Sequence, residues 1–323
     1  PECVKCASMY ENGITLLGGG LIGASWAALF LSKGARVTVY EPKASAEDEI
    51  TAYIKTAWAD LAKLSLLSAT VPWAQLSITT NLKTACQNPD WVQENAPDRL
   101  DLKQKLLKDV ETYLPADTPI ASSTTALLPS ALQEKMRYPE RLLVGHPFNP
   151  PHLIPLVEVA GGARSDPALL QQARQFYEHF EREVIVLKKE AIGHVANRLN
   201  AALYREVVNI VADDIASVED VDRAMVHGPG LRWAFLGPNL VYHLGGGAGG
   251  YAQYLQHLGP SQEARWRNLG TPELSSDIKD KLVNGLESSL NEASPAQLRA
   301  QRDAALVALL QLKKQLRPPS ENA

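Results

Sequence analysis

A short strand signal, Ile14-Thr15-Leu16-Leu17, runs directly into Gly18-Gly19-Gly20-Leu21-Ile22-Gly23, and a helical apolar pattern follows from Leu21 to Ser32. Few arrangements tolerate glycines at that spacing between a strand and a helix. Gly18 permits a tight turn, Gly20 lets backbone approach a diphosphate, and Gly23 lets the helix lie close on the strand, with the diphosphate at the helix N-terminus. Arg36-Val37-Thr38-Val39-Tyr40 reads as the second strand, and Glu41 closes it about twenty residues on, where an acid accepts both ribose hydroxyls. A carboxylate there repels a 2′-phosphate, so NAD is expected rather than NADP, a preference that Lys43 tempers slightly. The alternative is a glycine turn in an ordinary strand–helix unit.

Strand and helix signals alternate as far as about residue 188. A helix is expected over Ala46 to Leu67, and strands over Leu76 to Thr79 and Trp91 to Glu94. A second helix is expected over Asp101 to Leu114, capped by Asp101, and further strands over Pro119 to Ser122, Leu142 to Gly145 and Leu156 to Val159. Asp166-Pro167 opens a helix to Phe180, and Glu183 to Leu187 is the last strand. Such alternation argues an α/β fold, a mostly parallel Rossmann-type sheet wound on both faces, with the late strands possible antiparallel members. After Lys188-Lys189-Glu190 helical periodicity takes over. One long helix over Val195 to Ile215 carries Leu199, Ala202, Leu203, Val207, Ile210 and Val211 on one stripe. Ser217-Val218-Glu219-Asp220 is a capping signature, and Gly228-Pro229-Gly230 stops the helix it opens. Gly245 to Gly250 is either a flexible hinge or a close backbone contact, and helices follow from Asp277 to Lys314 before a polar tail at Pro318-Pro319. The expected organisation is an NAD-binding domain over 13–188 and an all-helical substrate and dimerisation domain over 189–323.

The chemistry concentrates in Gly145-His146-Pro147-Phe148-Asn149-Pro150, followed by Leu156-Val157-Glu158-Val159. This spacing puts an imidazole on a proline-stiffened turn and a carboxylate in an apolar strand, close enough for the chain to double back and pair them. A neutral imidazole takes a hydroxyl proton near physiological pH, and a carboxylate on its other ring nitrogen fixes the tautomer and stabilises the imidazolium. A histidine capping a turn and a glutamate on an edge strand would give the same pattern.

With 45% hydrophobic and 21% charged residues, the 323-residue chain has the composition of ordinary globular proteins, and a net charge of −4 gives no reason to expect nucleic acid or an anionic membrane as partner. No apolar run approaches a membrane span, and Pro1 to Asn12 lacks the basic start and apolar core of a signal peptide. Three cysteines make no disulfide framework. Cys3 and Cys6 form a C-x-x-C with no second pair, which reads as free thiols in a reducing, cytoplasmic setting, and no metal site is expected.

The order G-x-G-x-x-G, Ala121-Ser122-Ser123-Thr124-Thr125, His146-Pro147-Phe148-Asn149-Pro150, Leu156-Val157-Glu158-Val159 and Gly193-His194-Val195-Ala196-Asn197-Arg198-Leu199 resembles the 3-hydroxyacyl-CoA dehydrogenase superfamily from about residue 13 to 270. Within it, Gly228 to Pro238 and the glycine-rich segment are similar to the branch holding the L-carnitine dehydrogenases, L-gulonate 3-dehydrogenase and lambda-crystallin. The resemblance implies NAD as cofactor and oxidation of the L-3-hydroxyl of a small free hydroxy acid to the keto acid by a homodimer. It places Gly18, Gly20, Leu21, Ile22, Gly23, Glu41 and Glu94 at the dinucleotide. His146 becomes the base, Glu158 its partner, and Asn197 the donor that stabilises charge on the reacting oxygen, unless Asn197 is only a helix cap. Thr125 stands where the family has a serine on the substrate oxygen; its added methyl narrows the pocket, Ser122 or Ser123 could serve instead, and an ST-turn is the plain alternative. His194 replaces an apolar aromatic and either adds a titratable group near the site or, the favoured reading, faces solvent at a helix start.

Substrate class turns on what recognises the rest of the molecule. Glu47 to Gln75 holds only Lys55 and Lys63 among several acids, so the concentrated positive charge that CoA phosphates want is lacking. Arg232 is the candidate carboxylate clamp, with Trp233 limiting water, or else a residue at a subunit contact. Trp233, Phe235, Tyr242, Tyr251, Tyr254 and Trp266 offer aromatic material for a trimethylammonium group. A specialised ketoreductase and a non-catalytic, crystallin-like NAD-binding protein are the other readings.

Overall fold

The computed structural model describes residues 10–65, 67–68, 70–290 and 292–316. Cys3, Cys6, Pro318 and Pro319 lie outside the described residues. The strands are β1 (Ile14–Leu17), β2 (Val37–Tyr40), β3 (Leu76–Thr79), β4 (Trp91–Glu94), β5 (Ile120–Ser122), β6 (Leu142–Pro147), β7 (Leu156–Gly161) and β8 (Glu183–Val186). They form one sheet in the order β3-β2-β1-β4-β5-β6-β7-β8. All neighbours run parallel except β6 and β7, which are antiparallel, so the expectation for the late strands is met by a single reversal. With β1 between β2 and β4, successive crossovers leave β1 in opposite directions and open a crevice at its carboxyl end.

Helix α1 (Leu21–Ser32) does not bury a mere stripe: Gly23 through Leu31 are all buried. A helix apolar all round must be enclosed, and α1 is enclosed by the sheet, by α2 (Glu47–Leu64) and by α4 (Pro167–His179), beyond α3 (Leu100–Val110) in the chain. Trp26 stacks on Phe30 with centroids 5.1 Å apart, and Trp91 stacks on Phe176 at 4.0 Å, so aromatic rings from α1, β4 and α4 share one core. The first and last of these helices start as their sequences suggest, with Gly20 before α1 and Asp166 capping α4 through the Ala168 N–H. Helix α3 departs from expectation. It begins at Leu100 after Arg99, which supplies no side-chain cap, and Asp101 sits in its first turn, favourable to the helix dipole without capping it.

The first compact unit extends to Arg198 and takes up the chain again from Gln301, where the Gln311 side chain donates to the Lys63 carbonyl at 2.7 Å. This differs from a simple cut at 188/189, because the end of the last helix, α11 (Pro295–Leu316), belongs with the sheet.

The second unit, Leu199–Ala300, takes most of α5 (Ala196–Ala212), then α6 (Val218–His227), α7 (Pro229–Trp233), α8 (Pro238–Gly245), α9 (Gly250–Asn268) and α10 (Ser276–Ser289). Ser217 caps α6 through the Asp220 N–H as its signature requires. Between α8 and α9 the glycine run is a close backbone contact: a Cβ on Gly246 would lie 1.8 Å from the Gly250 carbonyl oxygen. The expected stripe on α5 is not buried as a whole. Val208 and Val211 are buried, while Leu199 is 59% and Leu203 37% exposed. Tyr242, Tyr251 and Tyr254 converge in a stack, with Tyr242 and Tyr254 centroids 4.5 Å apart.

Candidate active site

At the dinucleotide crevice, a Cβ on Gly23 would sit 2.0 Å from the Gly18 carbonyl oxygen, so only glycine lets α1 approach β1 this closely. Gly20 faces open space and caps α1 with no side chain, which leaves the first N–H groups of Leu21 and Ile22 available to an anion. Glu41 stands half-buried beside them, its Oε2 accepting from the Gly19 N–H at 3.0 Å and its Oε1 from the Lys43 N–H at 3.2 Å. Gly18, Gly20, Tyr40, Glu41, Leu82 and Leu106 line a cleft of ≈ 560 Å³, a volume suited to a nucleoside. An uncapped helix start, a glycine with room in front of it and an acid at the strand end fit NAD.

Glu94 is placed otherwise than expected. It is fully buried, and its two oxygens accept from Lys103 Nζ at 2.8 and 2.9 Å, from the Ala96 N–H at 2.6 Å and from Ser122 Oγ at 2.5 Å. Three donor groups make four hydrogen bonds to the carboxylate, two on each oxygen, so Glu94 shapes the end of β4 and has its acceptor capacity filled. Such a buried lysine–carboxylate pair is tolerated because every polar atom is matched. Lys103 is the missed residue. Its position on the inward face of α3 and the acid at the end of β4 were the available signals.

His146 lies within β6 rather than on a turn after it, and Glu158 is its direct cross-strand partner on antiparallel β7. Both are buried, and His146 Nδ1 is 2.8 Å from Glu158 Oε2. A carboxylate only accepts, so Nδ1 carries the proton and Nε2 keeps its lone pair, the arrangement a base needs. The other oxygen, Oε1, accepts from the Val195 and Ala196 N–H groups, both at 2.9 Å, so Glu158 also anchors the start of α5. Burial pushes the Glu158 carboxyl up, but the His146 hydrogen bond and the two backbone donors outweigh it and hold the group below its ordinary value. Asn197 follows at once, half-buried in the first turn of α5.

Beneath His146, Gly145 has no room for a side chain: its Cβ would meet Tyr177 Oη at 1.9 Å. Tyr177 donates to Gln93 Oε1 at 2.7 Å, and Gln93 Nε2 donates to Ser123 Oγ at 2.8 Å and to the Gly145 carbonyl at 3.2 Å. Ser123 in turn donates its only proton to Asn95 Oδ1 at 2.7 Å. The hydroxyls of Ser122 and Ser123 are therefore engaged inside the fold and cannot donate to a substrate oxygen as things stand. Thr125 stands exposed on the bend after β5, its N–H held by Asp98 Oδ2 at 2.8 Å.

His194 corrects the solvated reading. It is 1% exposed, its ring centroid 5.0 Å from that of His146, and its Nε2 lies 3.1 Å from the Thr124 carbonyl oxygen. Its backbone is left-handed, with φ 51° after Gly193 at 74°; for a residue with a Cβ this costs on the order of 1–2 kcal/mol. Burial holds its imidazole below the ordinary value, and His146 acts in the same direction. Arg232 and Trp233 lie on α7 of the helical unit, both exposed. Cys86, the cysteine among the described residues, is buried, and burial pushes its thiol up to about 11, too high for a reactive thiolate.

The NAD binding domain model of 3-hydroxyacyl-CoA dehydrogenase matches residues 13–191, and the C-terminal domain model of the same family matches residues 193–273. An L-carnitine dehydrogenase of Nocardiopsis dassonvillei is 41% identical over 309 residues, 96% of this chain and 92% of its own. One of Streptomyces coelicolor is 40% identical, covering 96% of this chain and 97% of its own. Among solved structures, a 5-formyl-3-hydroxy-2-methylpyridine 4-carboxylic acid 5-dehydrogenase, an NAD+ dependent dismutase, superposes with a TM-score of 0.83 at 25% identity, over 94% of this chain and 98% of that one.

Proposed function

The chain belongs to the 3-hydroxyacyl-CoA dehydrogenase family and is an NAD-dependent oxidoreductase, and from that premise we propose that it oxidises the L-3-hydroxyl of a small free hydroxy acid, L-carnitine first among them. The observation that carries this reading is the His146–Glu158 pair, whose geometry leaves Nε2 as a base in a buried setting. His146 Nε2 takes the hydroxyl proton as the carbinol carbon gives up its hydride, and Glu158 stabilises the imidazolium through Nδ1–H. NAD, when bound, supplies the hydride acceptor. Asn197 donates its amide to the reacting oxygen, and Thr125 offers a hydroxyl to the same atom. Glu41 would accept the ribose hydroxyls, while Gly18, Gly20, Gly23 and the N–H groups of Leu21 and Ile22 would receive the diphosphate.

A free acid is favoured over a CoA thioester because the two lysines of the α2 region are engaged: Lys63 pairs with Asp60 at 2.8 Å, and Lys55 lies 5.8 Å over the Trp73 ring. Arg232 is the guanidinium offered to the substrate carboxylate, beside Trp233. Exposed Leu231, Phe235, Leu240 and Leu244 of the helical unit favour a homodimer. Among the described residues no helix is long and apolar enough to cross a membrane.

NADH production with L-carnitine, L-gulonate, 3-hydroxybutyrate and 3-hydroxybutyryl-CoA tests the reading. Turnover of carnitine above the other three is expected. Preference for the CoA ester would refute it, and NAD binding without turnover of any would favour a structural protein. Light scattering should give twice the mass of one chain, and Arg232→Lys should raise the KM for the acid, an unchanged KM removing the clamp.

A further inference from the structure

Three of the groups assigned above come from distant parts of the first unit: Thr125 after β5, His146 on β6, and Asn197 at the start of α5. One buried side chain, His194, contacts His146 and the residue before Thr125 and stands three residues before Asn197. It packs its ring against His146 at 5.0 Å and reaches the Thr124 carbonyl with Nε2 at 3.1 Å. A carbonyl oxygen only accepts, so Nε2 carries the proton in this contact. The peptide between Thr124 and Thr125 is then held at both ends, its C=O by His194 and its N–H by Asp98 Oδ2 at 2.8 Å. Fixing that peptide plane fixes the base of the Thr125 side chain. Asp98 is itself secured. Burial raises its carboxyl, but Thr124, Thr125 and Lys103 outweigh that and hold it ionised below the ordinary range.

We propose that His194 is a positioning residue, a clamp that joins the Thr124–Thr125 peptide to the His146 ring and so registers the Thr125 hydroxyl, the base and Asn197 against one another. The role explains why a histidine occupies a buried position with left-handed backbone, its Nδ1 buried and, among the described residues, without a hydrogen-bond partner. A phenylalanine there would fill the same space but could not donate to Thr124. Besides Thr124, the titratable groups that face His194 are His146 and Glu158 from the sheet and Asp98 from the loop before α3. Burial and His146 both disfavour a charge on His194, so the clamp works with a neutral ring and adds no second cation beside the imidazolium formed in turnover.

The proposal rests on the dehydrogenase reading for its kinetic consequence and on the fold alone for its structural one, so two readouts separate them. His194→Phe keeps an aromatic ring against His146 and removes the donor. It is expected to lower kcat for L-carnitine oxidation by roughly tenfold or more while the KM for NAD stays within about twofold, since the cofactor cleft is untouched. In the ligand-free protein, exchange of the Thr125 amide should quicken by about tenfold or more, while the Val195 and Ala196 amides held by Glu158 keep their protection. His194→Gln places an amide N–H where Nε2 was and should recover part of both losses. A wild-type protein inactive on every hydroxy acid would sink the functional reading and leave the exchange comparison intact as the test of the clamp. Unchanged Thr125 exchange in His194→Phe, or unchanged kcat in an enzyme that turns over, overturns the proposal.

Discussion

Lowering the pH from 7 to 5 should weaken the first unit through one residue the chemistry does not use, His152. Its imidazole is buried, with Nδ1 2.8 Å from Ser25 Oγ and its backbone N–H donating to the same oxygen at 2.9 Å. These bonds tie the loop after the catalytic strand to the middle of α1. Burial pushes the imidazole down to about 4 from its ordinary 6.5. The unfolded chain therefore binds more protons than the folded one between those two values, so stability rises with pH through that window and is complete above 6.5. Integrating the linkage, acidification to pH 5 removes about 2 kcal/mol and to pH 4 about 3 kcal/mol. His194, also held low by burial, adds a loss of the same sign. His152→Asn keeps a polar group near the Nδ1 position and cannot titrate. Urea unfolding followed by tryptophan emission, which reports the buried Trp26 and Trp91, should show a pH 7 to 5 loss smaller by about 2 kcal/mol in the variant than in the wild type. If both lose the same amount, the native imidazole is not held neutral and the argument fails.

Glu158→Gln keeps a hydrogen-bonding oxygen but removes the charge that stabilises the imidazolium; kcat should fall by about 10²-fold or more, with little change in the KM for NAD, and steady-state kinetics at saturating NAD decides it. Gly145→Ala drives a methyl into Tyr177 Oη and should destabilise the first unit by about 1–3 kcal/mol, read as a lower melting temperature, with His146 displaced and activity reduced; an unshifted melting curve would contradict the packing. Glu41→Ala should raise the KM for NAD and narrow the preference over NADP, and a variant that keeps full discrimination would remove Glu41 from the ribose. Because the Glu158 carboxyl is held below its ordinary value, the stability it contributes is present above about pH 4.3, the unfolded value, and is lost as the pH falls through the lower folded value. Acid unfolding of Glu158→Gln should accordingly be shallower than that of the wild type.

The sequence by itself determined what is local or periodic. Glycines at 18, 20 and 23 between a strand and an apolar helix, the acid at 41, the Asp166-Pro167 and Ser217 helix starts and the period change after Glu190 all act through backbone sterics, capping or burial within a few residues, so they read directly. The His146–Glu158 pair was legible as a pairing of the right residue types. Its exact form came from the antiparallel register of β6 and β7, which sets the two side chains opposite each other inside a strand rather than on a turn. Tertiary structure alone decided the fates of Glu94, Ser123 and His194. Glu94 meets a lysine that α3 carries into the interior, Ser123 gives its proton to Asn95 within a network ending on Tyr177, and His194 is turned inward by two consecutive left-handed residues. Exposed Leu199 on α5 makes the same point in reverse, since helical periodicity marks an apolar face without saying what covers it. In each case the deciding partner lies far along the chain, and a buried polar atom takes its role from whichever donor or acceptor packing brings to it.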